Sequence, residues 1–138
     1  MPVSAPSVAY HHSLQTQSAP ISSIEEKLTQ YGLVNLSKID DRIIADLKYA
    51  STDNFLDENV YGELQDIFMQ KEVAEKLIKA QDILQDYDSS LYLIVHDAVR
   101  PLSIQQKMWD LVKNTEYQRY VASPYGGGGM HNYGCAVD

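Results

Sequence analysis

Apolar residues recur at alternating spacings of four and three in KEVAEKLIKAQDILQDYD, residues 71–88. This spacing places them on one stripe of an α-helix, with Lys and Glu on the other faces. The pattern predicts a helix that packs on the core through a stripe made of Val73, Leu77, Ala80, Leu84 and Tyr87.

Two shorter segments also have helical patterns. IEEKLTQYGL, residues 24–33, is typical of a short helix that ends at Gly32. SIQQKMWDLVKN, residues 103–114, begins with Ser103 and Gln106 at capping-box spacing. Its apolar side would consist of Ile104, Met108, Leu111 and Val112.

Strand patterns are short and lie between the helices. LYLIV, residues 91–95, is a β-rich apolar run that predicts one buried strand, and CAV at 135–137 predicts the start of another. Residues 52–63 contain Asp, Asn and Gly and predict an irregular loop. Because no βαβ rhythm is present, we predict an α+β fold with a small, mostly antiparallel sheet and flanking helices.

Composition divides the chain into a tail and one domain. Residues 1–22 are rich in Ser, Pro, Ala and Gln, which predicts a flexible tail. Residues 23–138 then form a single domain within a chain of 138 residues that is 44% hydrophobic. The net charge of −8, without a Lys/Arg cluster, argues against nucleic-acid binding. No apolar run is long enough for a transmembrane helix, and the single cysteine excludes an internal disulfide and a thiolate-rich zinc site.

Candidate metal ligands stand in GGGGMHNYGCAVD, residues 126–138. An extended chain between His131 and Asp138 would span roughly 23 Å, whereas two ligands of one zinc ion lie about 3–4 Å apart. The backbone would therefore have to turn back, and Gly134 is the residue that best permits this. A lone histidine before a turn is more often an ordinary surface or hydrogen-bonded residue, so the spacing alone does not establish a metal site.

A second candidate is Arg100, which follows the predicted strand 91–95 and precedes Pro101. An arginine at this position could stabilise a developing oxyanion. It could as well form a salt bridge with Asp97, and the sequence leaves both interpretations open.

Three separated stretches resemble motifs of the zinc D-alanyl-D-alanine dipeptidases. DLKYASTDNFLDENVYG (46–62) is similar to Asp-x-x-Tyr-Ala-Thr-x-Asn-Phe, and HDAVRP (96–101) to Asp-x-Tyr-Arg-Pro. GMHNYGCAVD (129–138) resembles Ser-x-His-x-x-Gly-x-Ala-x-Asp. The order and separations of the motifs agree as well, and the resemblance runs from about residue 30 to residue 138.

The resemblance implies a role for each matched residue. His131 and Asp138 would be two of the three protein ligands of a catalytic Zn²⁺, which also binds the attacking water. Arg100 would stabilise the oxyanion, and Tyr49 would hold the substrate, the free dipeptide D-Ala-D-Ala. The resemblance gives the remaining matched residues a part in shaping the pocket: Asn54, Tyr61 and Asp97.

The sequence also departs from the family pattern. Gly129 stands where the family has a serine that helps to hold the dipeptide, and Val99 replaces an aromatic residue. The family's Glu-x-x-His segment, which supplies the general base and the third ligand, is not found in these 138 residues. We therefore expect the chain to be the amino-terminal part of a longer enzyme and to be inactive alone.

Three hypotheses remain open at this point. The first is a zinc dipeptidase that cleaves D-Ala-D-Ala in peptidoglycan metabolism. The second, motivated by Gly129, is a related zinc D,D-carboxypeptidase that acts on peptidoglycan stem peptides. The third is a non-catalytic binding module derived from the same fold. The substrate class favours the periplasm or cell envelope as the location, with the cytoplasm as the alternative.

Overall fold

Helices are combined with very short strands in the computed structural model, which describes residues 23–138. The predicted tail at 1–22 lies outside the described residues. The helices are α1 (Ser23–Gln30), α2 (Lys71–Tyr87) and α3 (Leu102–Val112). The strands are β1 (Val34–Asn35), β2 (Ile44–Ala45), β3 (Phe68–Met69) and β4 (Ile94–Val95). Short 3-10 turns occupy Leu36–Lys38, Lys48–Ala50, Glu116–Tyr120 and Met130–Tyr133.

The α+β class is as predicted, and the mostly antiparallel sheet is confirmed only in part. The described strands form two separate pairs: β1 with β3 is antiparallel, and β2 with β4 is parallel. A parallel pair needs a long crossover, which the chain supplies because α2 lies between β2 and β4. The predicted strand at 135–137 is also absent, and only Asp138 pairs there with the backbone of His96 and Asp97.

The predicted stripe of α2 is correct in part. Val73, Leu77 and Leu84 are half-buried, and the first two pack against the core, but the most buried positions of the helix lie one residue further on. Ala74 and Gln81 are buried, whereas Tyr87 is 88% exposed and Ala80 is also exposed. A polar residue, Gln81, lies at the centre of the buried face. A pattern based on apolar residues alone therefore could not identify it as a buried position. In α3, Ile104, Met108 and Val112 are buried as predicted, but Leu111 is 43% exposed and the helix begins at Leu102 without a side-chain cap.

Two hydrophobic clusters meet at β3. Phe68 packs into the first cluster, which includes residues of α1 and α3. Its neighbour Met69 packs into the second, which includes Ala74 of α2 and Val95 of β4. Successive side chains of a strand point to opposite faces, so this two-residue strand joins both clusters. Among residues 23–138, the helices are too short or too polar to cross a bilayer.

The buried Gln81 fixes the segment that leads into β4. Its Oε1 accepts a hydrogen bond from the N–H of Leu93 at 2.7 Å, and its Nε2 donates to the carbonyl of Leu91 at 3.2 Å. These bonds tie α2 to the residues just before β4. The candidate site begins at the end of β4, so Gln81 helps to set its position.

We predict that Gln81→Leu lowers the free energy of unfolding by about 1–3 kcal/mol, because it leaves the N–H of Leu93 and the carbonyl of Leu91 without partners. Urea unfolding measures this change. Gln30→Leu, at the exposed end of α1, is the matched control and should change stability by less than about 0.5 kcal/mol. Equal effects of the two substitutions would contradict the role of Gln81.

Candidate metal and arginine site

The segment 96–100, which follows β4, carries the backbone contacts of the site. The N–H of Arg100 donates to the carbonyl of His131 at 2.9 Å, and the N–H of Asp138 donates to the carbonyl of Asp97 at 3.0 Å. The N–H of His96 donates in turn to the carbonyl of Asp138 at 2.7 Å. Both ends of the terminal loop 131–138 are therefore bound to the same five-residue segment.

His131 and Asp138, the two predicted ligands, lie together. The imidazole Nε2 of His131 is 3.3 Å from Oδ2 of Asp138. Nδ1 of His131 lies 2.8 Å from the carbonyl of Ala98, a contact that suits an Nδ1–H donor and leaves the Nε2 lone pair directed at the aspartate. This separation matches that of two donors on one ion.

Gly134 is where the loop turns back, as the sequence predicted. Its φ is +68°, in the left-handed region, and its N–H donates to the carbonyl of His131 at 3.2 Å. A Cβ at this position would lie 3.0 Å from Cδ2 of Leu33 and 3.2 Å from the backbone nitrogen of Gln70. Both the backbone conformation and the close approach therefore require glycine.

Asn132 connects the glycine run to Arg100 by hydrogen bonds, a role that the sequence did not indicate. Its Oδ1 accepts from the N–H of Gly129 at 2.6 Å, and its Nδ2 donates to the carbonyl of Arg100 at 2.8 Å. A Cβ on Gly128 would lie 2.4 Å from that Oδ1, so the glycine run leaves room for the amide. An asparagine directly after a glycine run and a candidate ligand was the available signal.

Arg100 is buried beside these groups. Its Nη2 donates to Oδ2 of Asp97 in a short ion pair, and its Nη1 donates to Oε1 of Gln105 at 2.9 Å. Its Nε lies 3.5 Å from the hydroxyl of Tyr61. The ring of Tyr49 lies over the guanidinium, 5.2 Å from Cζ to the ring centroid. The salt bridge to Asp97 that the sequence left open is thus present, and it does not remove Arg100 from the site.

Asp97 links the arginine to the histidine. It is 2% exposed, and its Oδ1 accepts from the hydroxyl of Tyr61 and from the N–H of Ala98. Its Oδ2 lies 3.8 Å from Nδ1 of His131. Asp97, His131 and Asp138 together offer three donor atoms within 4.8 Å of one another, a group that could hold a metal ion.

The electrostatics keep both tyrosines protonated and the arginine charged. Burial raises the pKa of Tyr49, with Arg100 opposing and the two aspartates of the site adding to the rise. Burial also raises the pKa of Tyr61, and the charge of Asp97 raises it further. For Arg100 burial lowers the pKa, but Asp97 and Tyr61 outweigh it and raise the pKa overall. Both phenols can therefore donate hydrogen bonds at neutral pH.

Aromatic side chains continue from the site to the surface. Tyr49 contacts Phe55 edge-on at 6.4 Å between centroids, and Phe55 contacts Tyr117 at 6.3 Å and Tyr120 at 6.1 Å. The last three residues line a depression of about 330 Å³. Asn54, which the resemblance placed near the pocket, instead holds its own loop through bonds to the carbonyls of residues 48, 51 and 58.

Comparison with known proteins gives two matches. A family model described as D-ala-D-ala dipeptidase matches residues 29–127, which include Tyr49 and Arg100 but end before His131. The curated D-alanyl-D-alanine dipeptidase of Escherichia coli strain K12 is 30% identical over 106 residues, which cover 77% of this chain and 51% of that protein. The chain thus spans about half the length of this relative. Peptidases of the matched family are typically metal-dependent.

We predict that Gly134→Ala destabilises the fold more than the same substitution at Gly62. Gly62 has φ +59° and open space around its Cβ position, so alanine there should cost only the left-handed strain, about 1 kcal/mol. At Gly134 the contacts with Leu33 and Gln70 should add about 1 kcal/mol or more. Urea unfolding of both variants measures the difference, and equal losses would show that the close approach does not matter.

Proposed function

This chain belongs to the M15 family of D-Ala-D-Ala dipeptidases, and on that premise we propose that it carries the metal-binding and arginine-bearing part of a zinc dipeptidase. Its substrate would be the free D-Ala-D-Ala dipeptide of peptidoglycan metabolism. The observation that carries the proposal is the 3.3 Å distance between His131 Nε2 and Asp138 Oδ2. The carboxylate of Asp97 lies between His131 and Arg100.

The donor set at this position fits zinc. An imidazole nitrogen and a carboxylate oxygen are common zinc ligands, and the imidazole is already oriented by the carbonyl of Ala98. When bound, zinc would lower the pKa of a water molecule and polarise the scissile carbonyl. The third ligand and the general base are assigned by the resemblance to a Glu-x-x-His segment, which these 138 residues do not contain.

Arg100 and Tyr49 supply the polar contacts to the substrate in this proposal. Arg100 keeps its charge in a buried position, where a fixed positive group stabilises a developing oxyanion far better than it would in water. The protonated phenol of Tyr49, packed on the guanidinium, can donate to the dipeptide. His131 is half-buried and Asp138 is exposed, so a small peptide could reach them from solvent.

A second candidate function follows from Gly129. The family serine at this position helps to hold the dipeptide, whereas a Cβ on Gly129 would meet only Oδ1 of Asn132, at 3.9 Å. The space left there, and the aromatic depression beyond Tyr49, suit a substrate that continues past two residues. A zinc D,D-carboxypeptidase acting on stem peptides is therefore the alternative. A location in the periplasm or envelope remains a prediction from the substrate class.

Zinc titration tests the metal part of the proposal. We expect the chain to bind one Zn²⁺ weakly by calorimetry, and His131→Gln and Asp138→Asn each to lower the affinity by about tenfold or more. His96→Gln is the matched control, because His96 is exposed and bonds to the carbonyl of Asp46 instead. Unchanged zinc affinity in the His131 and Asp138 variants would refute the ligand assignment.

Substrate binding and turnover test the rest. In the zinc-loaded chain, D-Ala-D-Ala should shift the NMR signals of Tyr49 and Arg100, whereas L-Ala-L-Ala at the same concentration should not. Tyr49→Phe should weaken binding by about twofold to tenfold, because one hydrogen bond is lost. Tyr31→Phe, at an 82% exposed position, is the control.

D-alanine release should be undetectable in this chain without the Glu-x-x-His segment. Zinc-dependent release would place the base within these residues and overturn that part of the proposal. Binding of a pentapeptide stem in preference to the dipeptide would favour the carboxypeptidase. Binding of either ligand in a protein that carries the complete motif set but has no turnover would favour the non-catalytic module.

A further inference from the structure

We propose that Tyr61 and Gln105 are positioning residues that fix the guanidinium of Arg100, and that Asp97 belongs to this clamp rather than to the metal site. The inference rests on the proposed function for its catalytic meaning. Neither Gln105 nor the clamp was apparent from the sequence motifs. Tyr61, Asp97 and Gln105 together form this clamp around the guanidinium.

The clamp uses three of the five N–H groups of the guanidinium. Nη2 donates to Asp97, Nη1 donates to Gln105 at 2.9 Å, and Nε faces the Tyr61 hydroxyl at 3.5 Å. Because each terminal nitrogen carries two N–H groups, one donor on Nη1 and one on Nη2 remain for another acceptor. A substrate oxyanion would therefore meet a group whose plane and rotation are already set.

Each clamp residue is itself held by the fold. Gln105 lies on α3, is 2% exposed, and donates through Nε2 to the carbonyl of Ala122 at 2.7 Å. Tyr61 is also 2% exposed, and its N–H donates to the carbonyl of Tyr49 at 3.0 Å. The guanidinium is thus held by Gln105 of α3 on one side and by Tyr61 of the preceding loop region on another. Such support is what a preorganised charged donor needs.

The carboxylate of Asp97 has little capacity left for a metal ion. Oδ1 accepts two hydrogen bonds, from the Tyr61 hydroxyl and the Ala98 N–H, and Oδ2 accepts from Arg100. Metal coordination by Oδ2 would place a cation next to the guanidinium that the same oxygen neutralises. Asp138 has no such commitment, because its side chain is 66% exposed and its carboxylate faces His131. The geometry assigns Asp97 to the arginine and Asp138 to the ion.

The test is the NMR signature of the Arg100 side chain in the 138-residue chain. Clamped, its Nη hydrogens should give separate, slowly exchanging signals, unlike those of Arg119. Tyr61→Phe and Gln105→Met should each merge these signals or speed their exchange several-fold. Gln105→Glu keeps an acceptor for Nη1 and should restore the separate signals. Gln106→Met, at the next position of α3, is the control and should change nothing.

Zinc titration of Asp97→Asn separates the two roles of the aspartate. As a clamp residue, Asp97 would affect zinc binding only through the segment to which His131 and Asp138 are attached, so Asp97→Asn should lose clearly less zinc affinity than Asp138→Asn, whereas an equal loss would identify Asp97 as a ligand. Circular dichroism checks that the variant folds. If the variant does not fold, the zinc affinity of Tyr61→Phe is measured in its place, because this substitution removes one hydrogen bond from Asp97 and leaves the charge of its carboxylate.

The outcomes distinguish the clamp from the proposed dipeptidase function. The inference would be overturned if the Arg100 side chain rotated fast in the unmodified chain, or if Tyr61→Phe and Gln105→Met had no effect on its signals. It would also be overturned if Asp97→Asn and Asp138→Asn lost zinc affinity equally. Clamped signals together with a failure to bind D-Ala-D-Ala would leave the clamp standing and refute the function.

Discussion

The site depends on the buried ion pair between Asp97 and Arg100. Burial of two charges is costly, and such a pair persists only where further hydrogen bonds satisfy both groups. Here the Tyr61 hydroxyl and the Ala98 N–H donate hydrogen bonds to the carboxylate, and Gln105 accepts one from the guanidinium. Removal of one partner would leave an uncompensated charge in the core, so the pair imposes one arrangement on the residues around it.

The backbone of the same segment extends this constraint to the two candidate metal ligands. His131 is bound through its carbonyl to Arg100 and through its ring to Ala98, and Asp138 is bound through its backbone to Asp97. A shift of the ion pair would therefore move both ligands with it. This coupling explains how a loop that contains several glycines can hold two candidate ligands in place, because its ends are attached to a buried, charge-paired segment.

Local patterns predicted the helices, because helical periodicity depends on residues close in sequence, whereas the family resemblance implied that His131 and Asp138 lie together. The ligand approach needed only a return bend, and Gly134 marked it. The sheet arrangement and the buried face of α2 were predicted only in part. Strand pairing is non-local, and a buried glutamine breaks the apolar pattern of the helix. Asn132 was missed for a similar reason, since its bond to Arg100 spans 32 residues. Such long-range polar contacts leave no periodic signal in a single sequence.

The two aspartates of the site illustrate how burial assigns chemistry to the same functional group. Asp97 is 2% exposed and is neutralised by Arg100, so it contributes little free negative charge. Asp138, whose side chain is 66% exposed, instead faces the Nε2 of His131. The two charges of the ion pair thus offset each other in the interior, while the carboxylate of Asp138 lies at the surface beside the imidazole of His131. In the proposed function, a cation would bind beside Asp138 and a substrate oxyanion beside Arg100, and the carboxylate of Asp97 would lie between the two.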